Sequence, residues 1–207
     1  MIELRFAFDY VDPGSYLAFA LLERHLPQLR GSVDLTWIPL ELSPPSTAPI
    51  DVREPIWTEM TEAMGEHAKR EAIPFHAPVR VPETRKAHEL ALHAGEKGCF
   101  GTVHRALFEA HFQEGLDIGR IDILVEIGAL KGLDRSETRT VLGVDRFGPV
   151  VSELRSDALA GGIRGVPTIA GPNGAIEGFQ GPDSFLDSLE TLVEGGPSSS
   201  DGDSDRR

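Results

Sequence analysis

Gly165-Val166-Pro167-Thr168 lies between a polar run and a short apolar run of the chain. The polar run, Glu153 to Arg164, predicts a helix, and the apolar residues Thr168 to Ala170 predict a strand. Because Pro167 has no backbone N–H, it cannot pair as an ordinary residue inside a strand. The step therefore indicates a specialised start to the strand, and the alternative is a plain loop proline.

The N-terminal residues have the pattern of a strand, a helix and a second strand. Ile2 to Phe8 begins with alternating apolar and polar residues, which predicts a strand. Asp12 is a suitable N-cap and Pro13 suits the first helical turn, so an amphipathic helix is expected from Tyr16 to Leu26. Val33 to Leu40 predicts a second strand. This order predicts a βαβ unit with two parallel strands.

The rest of the chain divides into a helical middle and a C-terminal part that resumes the opening pattern. The middle carries five predicted helices and almost no strand signal: Arg53–Ala72, Glu83–Gly98, Gly101–Glu114, Ile121–Lys131 and Ser136–Leu142. A helix over 145–161 follows, then the Thr168 strand, an Asn-Gly hairpin turn at 171–174, a strand at 175–178 and a final helix from Pro182.

These elements predict an α/β fold of the thioredoxin type with an all-helical insertion. The thioredoxin-like parts are residues 1–50 and 151–194, and the insertion is 51–150. Residues 195–207, which are polar and lack large apolar side chains, are predicted to be disordered.

Composition excludes several classes of function. The formal charge of −13 argues against nucleic acid or an anionic membrane as partner, since both bind lysine and arginine surfaces. The single cysteine, Cys99, allows neither an intramolecular disulfide nor a cysteine-rich zinc site. The N-terminal residues are expected to form a strand rather than a signal peptide, and no apolar run approaches the length of a membrane span. A cytoplasmic location is expected.

Several segments together resemble the DsbA family of thioredoxin-like proteins. The segments are Leu107–Phe112 with Gly115–Gly119, Gly132–Asp134 and Gly162–Thr168, within a likeness that covers residues 3–193. The FrnE-type branch is the most similar, followed by kappa-class glutathione transferases and 2-hydroxychromene-2-carboxylate isomerases. The resemblance implies a cis Val166–Pro167 bond, with the backbone of Val166 free to pair with an extended ligand.

The family's catalytic motif is altered in this chain. FrnE-like proteins carry Cys-Pro-x-Cys at the start of the first helix, where this sequence has Asp12-Pro13-Gly14-Ser15. Dithiol exchange needs one thiolate to attack and a second thiol to resolve, so this chain is not expected to perform it. The glutathione-using branch has Ser-Pro-Tyr-Ser there, but its first serine corresponds to Asp12, whose carboxylate would repel a thiolate.

The resemblance and the residue types give five candidate site residues. Ser15 and Asp12 are the catalytic candidates, because a hydroxyl and a carboxyl at a helix N-terminus can serve a sulfur or an oxyanion. The structural alternatives are a solvent-facing serine and a plain N-cap. Val166 and Pro167 are ligand-binding candidates. Asp183, which by resemblance would hold the amine of glutathione, is alternatively an acidic residue of a first helical turn.

The remaining polar residues favour structural roles. Cys99 has no cysteine partner and is expected to be buried or inert. The insertion histidines, among them His88, lack the spacing of metal ligands, so no metal is predicted. The function predicted is a site for a thiol such as glutathione, which extends to a glutathione-dependent transferase or isomerase. The alternatives are a non-catalytic, chaperone-like protein that holds peptide, and a redox assignment inherited by descent alone.

Overall fold

The computed structural model describes residues 1–28, 33–45 and 47–194, so the predicted disordered tail at 195–207 lies outside the described residues. The elements in chain order are β1 Ile2–Phe8, α1 Pro13–His25 with a 3₁₀ turn at Leu26–Gln28, β2 Val33–Pro39, α2 Pro55–Arg70, α3 Arg85–Glu96, α4 Phe100–Phe112, α5 Ile121–Leu130, α6 Arg135–Gly143, α7 Gly148–Ala160, β3 Thr168–Gly171, β4 Gly174–Glu177 and α8 Pro182–Glu194.

The four strands form one mixed sheet in the order β2-β1-β3-β4. β1 and β2 are parallel, with Ile2 opposite Val33 and Phe8 opposite Pro39. β3 runs antiparallel to β1, and β4 runs antiparallel to β3. This topology, with five helices between β2 and α7, confirms the predicted thioredoxin-like fold with a helical insertion.

The two faces of β1 contribute to two separate apolar clusters, as the period-two alternation of a strand requires. Leu4, Phe6 and Phe8 join the large core, which also contains buried residues of α1, α8 and the insertion helices. Ala7 points to the other face and packs with Ala158 of α7 in a small cluster. The large core therefore runs without a break from the sheet into the insertion.

Aromatic side chains join the sheet to the insertion. The ring centroids of Phe8 and Phe108, on β1 and α4, lie 5.9 Å apart. Phe19 of α1 stacks on the same Phe108 ring at 5.1 Å. Pairs of this geometry contribute about 1 kcal/mol each beyond the area they bury. The insertion is thus packed against the end of β1, where the candidate site begins.

Two glycines allow a direct test of this packing. A Cβ added at Gly171 in β3 would lie 2.6 Å from Leu4 Cδ2, inside the large core, whereas one added at the exposed Gly95 of α3 would meet nothing within 4 Å. We expect Gly171→Ala to lower the free energy of unfolding by about 1–3 kcal/mol because the core must move to admit the methyl group. Urea denaturation measures the loss.

Gly95→Ala is the matched control, and it should leave stability unchanged or raise it slightly because alanine is the better helix former. Equal stability of the two variants would contradict the packing of β3 against Leu4.

Candidate functional site

Pro167 packs directly on the first turn of α1. The Val166–Pro167 peptide bond is cis. A Cβ built on Gly14 would lie 3.0 Å from Pro167 Cδ and 3.3 Å from Phe179 Cβ. A residue larger than glycine at position 14 would therefore push the proline and the phenylalanine away. The two distant sequence segments singled out above, 12–15 and 165–168, meet here.

Asp12 is the N-cap of α1, as the sequence predicts. Its Oδ2 atom accepts a hydrogen bond from the Ser15 backbone N–H at 2.6 Å. Its carbonyl oxygen accepts the N–H of Tyr16, which closes the first helical turn. A side-chain acceptor at this position satisfies an N–H that has no partner within the helix.

Ser15 occupies a different environment from the one expected. Its side chain is 0 % exposed, so it does not face solvent, and the alternative of a solvent-facing serine is wrong. Its hydroxyl donates to Asp12 Oδ2 at 2.6 Å and accepts the Asp9 N–H at 3.4 Å. The cause is position N3 of α1, where the hydroxyl turns back to the carboxyl of the N-cap residue.

Asp12 is itself buried, with 4 % of its surface exposed. Burial raises the pKa of Asp12 to about 7, although the hydrogen bonds from Ser15 act in the opposite direction, and the charge of nearby Asp9 raises it further. Both hydrogen bonds from Ser15 go to Oδ2, and Oδ1 takes part in neither. Asp12 thus holds a proton through much of the range below neutral pH, and Oδ1 is the atom that can carry it.

Asp9 is a site residue that the sequence did not reveal. Its carboxyl is 0 % exposed. Oδ2 accepts the Leu42 N–H at 2.7 Å, and His88 Nε2 lies 3.1 Å from Oδ1. Asp9 therefore connects the end of β1, the loop after β2 and helix α3. The position directly after an apolar strand was the available signal, but its partners lie 33 and 79 residues away.

Val166 presents the edge that a ligand could use. The residue is half-buried, and Pro167 beside it is buried. The Pro167 carbonyl accepts the Gly178 N–H at 2.8 Å, and the Gly165 carbonyl accepts the Thr168 hydroxyl at 2.8 Å. Val166 lies between Gly165 and Pro167. Within the described ranges, neither its N–H nor its C=O has a hydrogen-bond partner. Unpaired backbone groups at an edge can pair with an extended ligand.

Asp183 lies apart from the Asp12 cluster. It is exposed in the first turn of α8 and lines a surface pocket of about 380 Å³ with His25, Gln28 and Asp187. The residues just before Asp183 lie nearer to the site. His67 of α2 lies over Gly181, and its ring centroid is 5.8 Å from that of Phe179, the residue that lies against Gly14.

Cys99 lies outside this site. It is half-buried at the start of α4, and it lines a different surface pocket with Arg105 and Lys131. In the part of the chain that the structure describes, no group of three or more His, Cys, Asp or Glu side chains could hold a metal ion. None of the described helices is long and apolar enough to cross a membrane.

The site offers a buried acid and an unpaired backbone edge, and no thiol. It cannot form a mixed disulfide at positions 12 or 15, because neither oxygen-bearing side chain can replace a thiolate in that exchange. It can give or take a proton near neutral pH through Asp12. The Val166 backbone has an N–H and a C=O of the kind that pair with an extended ligand.

The buried Asp12 should make stability fall as pH rises. Its folded pKa of about 7 lies above the 3.8 of an exposed aspartate, so its contribution is fully present below 3.8 and is lost as pH rises to about 7. Between about pH 5 and pH 8 the loss is roughly 3 kcal/mol. Asp12→Asn, which cannot ionise, should lack this component.

Denaturant titrations of wild type and Asp12→Asn at both pH values isolate the effect, since the other titrating groups are common to the two proteins. Identical pH dependence of the two proteins would show that Asp12 is ionised in the folded state.

Known proteins resemble this chain over almost its whole length. The uncharacterized protein YwbO of Bacillus subtilis (strain 168) is 28% identical over 191 residues, which is 89% of this chain and 94% of YwbO. The probable DsbA oxidoreductase SCO1869 of Streptomyces coelicolor has a TM-score of 0.81 at 22% identity, over 96% of this chain and 92% of that one. A 2-hydroxychromene-2-carboxylate isomerase has a TM-score of 0.75 at 18% identity, over 93% and 94% of the two chains.

The sequence profile of the DSBA-like thioredoxin domain matches residues 3–190, from β1 to α8. The sheet order, the insertion and the cis proline against the start of α1 agree with that match. The chain belongs to the DSBA-like thioredoxin domain family, an oxidoreductase family, although aspartate and serine stand where a Cys-x-x-Cys pair would be.

Proposed function

We propose that this protein binds a small thiol such as glutathione along the Val166–Pro167 edge and performs no dithiol–disulfide exchange. The observation that carries the proposal is the pair of Val166 backbone groups that have no partner among the described residues, next to Pro167 and the start of α1. A γ-glutamyl tripeptide has amide groups that can pair with such an edge in the manner of an added strand.

Asp12 determines which form of the thiol is accepted. Below its pKa of about 7 the carboxyl is neutral and can donate a hydrogen bond through Oδ1. Above that pH it is a buried anion, which repels a thiolate. The site therefore favours the neutral thiol. Ser15 does not touch the ligand and acts by holding Asp12 Oδ2 from inside the helix.

The catalytic form of the proposal is a glutathione-dependent transferase or isomerase. A general acid–base residue works best when its pKa lies near the operating pH, and Asp12 meets that condition. The structural likeness to a 2-hydroxychromene-2-carboxylate isomerase supports the isomerase form. A chain with a single cysteine is suited to the reducing cytoplasm, which is the location we propose.

An extended peptide is the alternative ligand for the same edge. It would use the same Val166 groups but would need neither Asp183 nor Asp12. The two ligands therefore differ in what they require from α8. Asp183, exposed in the first turn of α8, is the residue we assign to the amine of glutathione.

Glutathione should bind with a measurable contribution from Asp183. We expect Asp183→Asn to weaken the binding about threefold to fivefold, since one exposed ion pair contributes at most about 1 kcal/mol. Asp187→Asn is the matched control because Asp187 lies on the same helix and lines the same pocket. Calorimetric titration of the three proteins with glutathione gives the affinities.

Equal weakening by both substitutions would mean that only the general negative charge of α8 matters. If glutathione fails to bind at millimolar concentration while an extended peptide binds, the site is a peptide-binding site and the thiol proposal is wrong.

Dithiol–disulfide exchange should be absent. We expect the rate of insulin reduction in the presence of a dithiol to equal the uncatalysed rate, because a resolving thiol is missing at position 15. Cys99→Ser should leave that rate unchanged. Catalysis that disappears in Cys99→Ser would place the reactive thiol at the start of α4 and contradict our assignment of the site.

A further inference from the structure

We propose that Asp9 and His88 are positioning residues for Asp12, which fix the Ser15 hydroxyl on its carboxyl and set the charge that this carboxyl experiences. The inference deepens the proposed function, because it gives His88, a residue of the helical insertion, a role in positioning Asp12. Its test needs no ligand, so the two proposals can fail separately.

Hydrogen bonds at the carboxyl group and at the backbone N–H of Asp9 join His88 to Asp12 through this one residue. His88 Nε2 lies 3.1 Å from Asp9 Oδ1, the Asp9 backbone N–H donates to Ser15 Oγ at 3.4 Å, and Ser15 Oγ donates to Asp12 Oδ2 at 2.6 Å. Each member is at least nine-tenths buried. The Ser15 oxygen accepts the Asp9 N–H, so the hydroxyl proton of Ser15 is directed at Asp12.

Contacts to the Asp9 carboxyl group restrain the Asp9 backbone in turn. Oδ2 accepts the Leu42 N–H at 2.7 Å and Oδ1 contacts His88, so the carboxyl is tied from two sides. Loss of either contact would let the turn between β1 and α1 move, and the Ser15 hydroxyl would move with it. This is how a residue on α3 can act on Asp12 without touching it.

The charge of Asp9 acts on Asp12 in a setting with few competing charges. The other titratable groups near the pair are Tyr10 after β1, His104 and His111 on α4, and His67 on α2 beside Gly181. Burial holds the pKa of Tyr10 well above and that of His104 well below the usual range, and it lowers the pKa of His111 to about 4. Burial also lowers the pKa of His67.

Burial favours the uncharged form of all four groups, and the neighbouring charge that acts on Asp12 is that of Asp9. Pro167 and Phe179, which lie against Gly14 at the helix start, carry no charge. A change of charge at Asp9 should therefore appear directly in the Asp12 titration.

The test is the titration of the Asp12 carboxyl carbon, followed by NMR without ligand. We expect Asp9→Asn to lower the Asp12 midpoint by about one pH unit, since a neighbouring negative charge is removed. Asp51→Asn is the control, because it makes the same chemical change at an exposed aspartate paired with Arg53. It should leave the Asp12 midpoint unchanged.

A second pair of variants keeps the test decisive if Asp9→Asn does not fold. His88→Gln retains an N–H donor for Asp9 and should titrate like wild type. His88→Leu leaves Asp9 Oδ1 without its side-chain partner and so loosens the Ser15 hydroxyl. Because the hydrogen bond from that hydroxyl lowers the Asp12 pKa, the Asp12 midpoint should rise above that of His88→Gln. An unchanged midpoint in folded Asp9→Asn, or equal midpoints in the two His88 variants, would overturn the proposal.

Discussion

The buried Asp9 carboxylate is the constraint on which the arrangement of the site depends. A carboxyl group removed from water must be hydrogen-bonded, and Asp9 obtains its partners from the loop after β2 and from α3. Those partners fix the insertion against the end of β1. They also fix the turn that places Asp12 and Ser15 at the start of α1. Removal of a buried partner of this kind typically costs several kcal/mol, more than any surface pair contributes.

Helix α3 reinforces the same junction with charged side chains. Arg85 pairs with the buried Glu41 at 2.7 Å. The fully buried Glu89 accepts the Phe147 N–H at 3.1 Å and pairs with Lys86 at 2.9 Å. The first residues of α3 thus contact the end of β1, the loop after β2 and the start of α7. The insertion is consequently oriented by polar contacts as well as by the aromatic core between Phe8 and Phe108.

The fold could be predicted because its signals are local. Alternation in β1, the N-cap at Asp12 and the proline step at 165–168 each depend on residues close in sequence. The orientation of Ser15 could not be predicted in this way. A serine at a helix start is usually exposed, whereas this hydroxyl is buried and hydrogen-bonded to the Asp12 carboxyl and the Asp9 N–H. The Asp9–His88 contact spans 79 residues, and its two residues separately have the pattern of a strand end and a helix face.

The central claim is that a ligand occupies the Val166 edge above a proton-bearing Asp12. Backbone NMR with glutathione tests it most directly, because the Val166 amide reports the edge itself. The account predicts saturable shifts of the Val166 and Gly14 amides that are larger at a pH below the Asp12 pKa of about 7 than above it. Saturable binding that leaves the Val166 amide unmoved would place the ligand elsewhere and contradict the account.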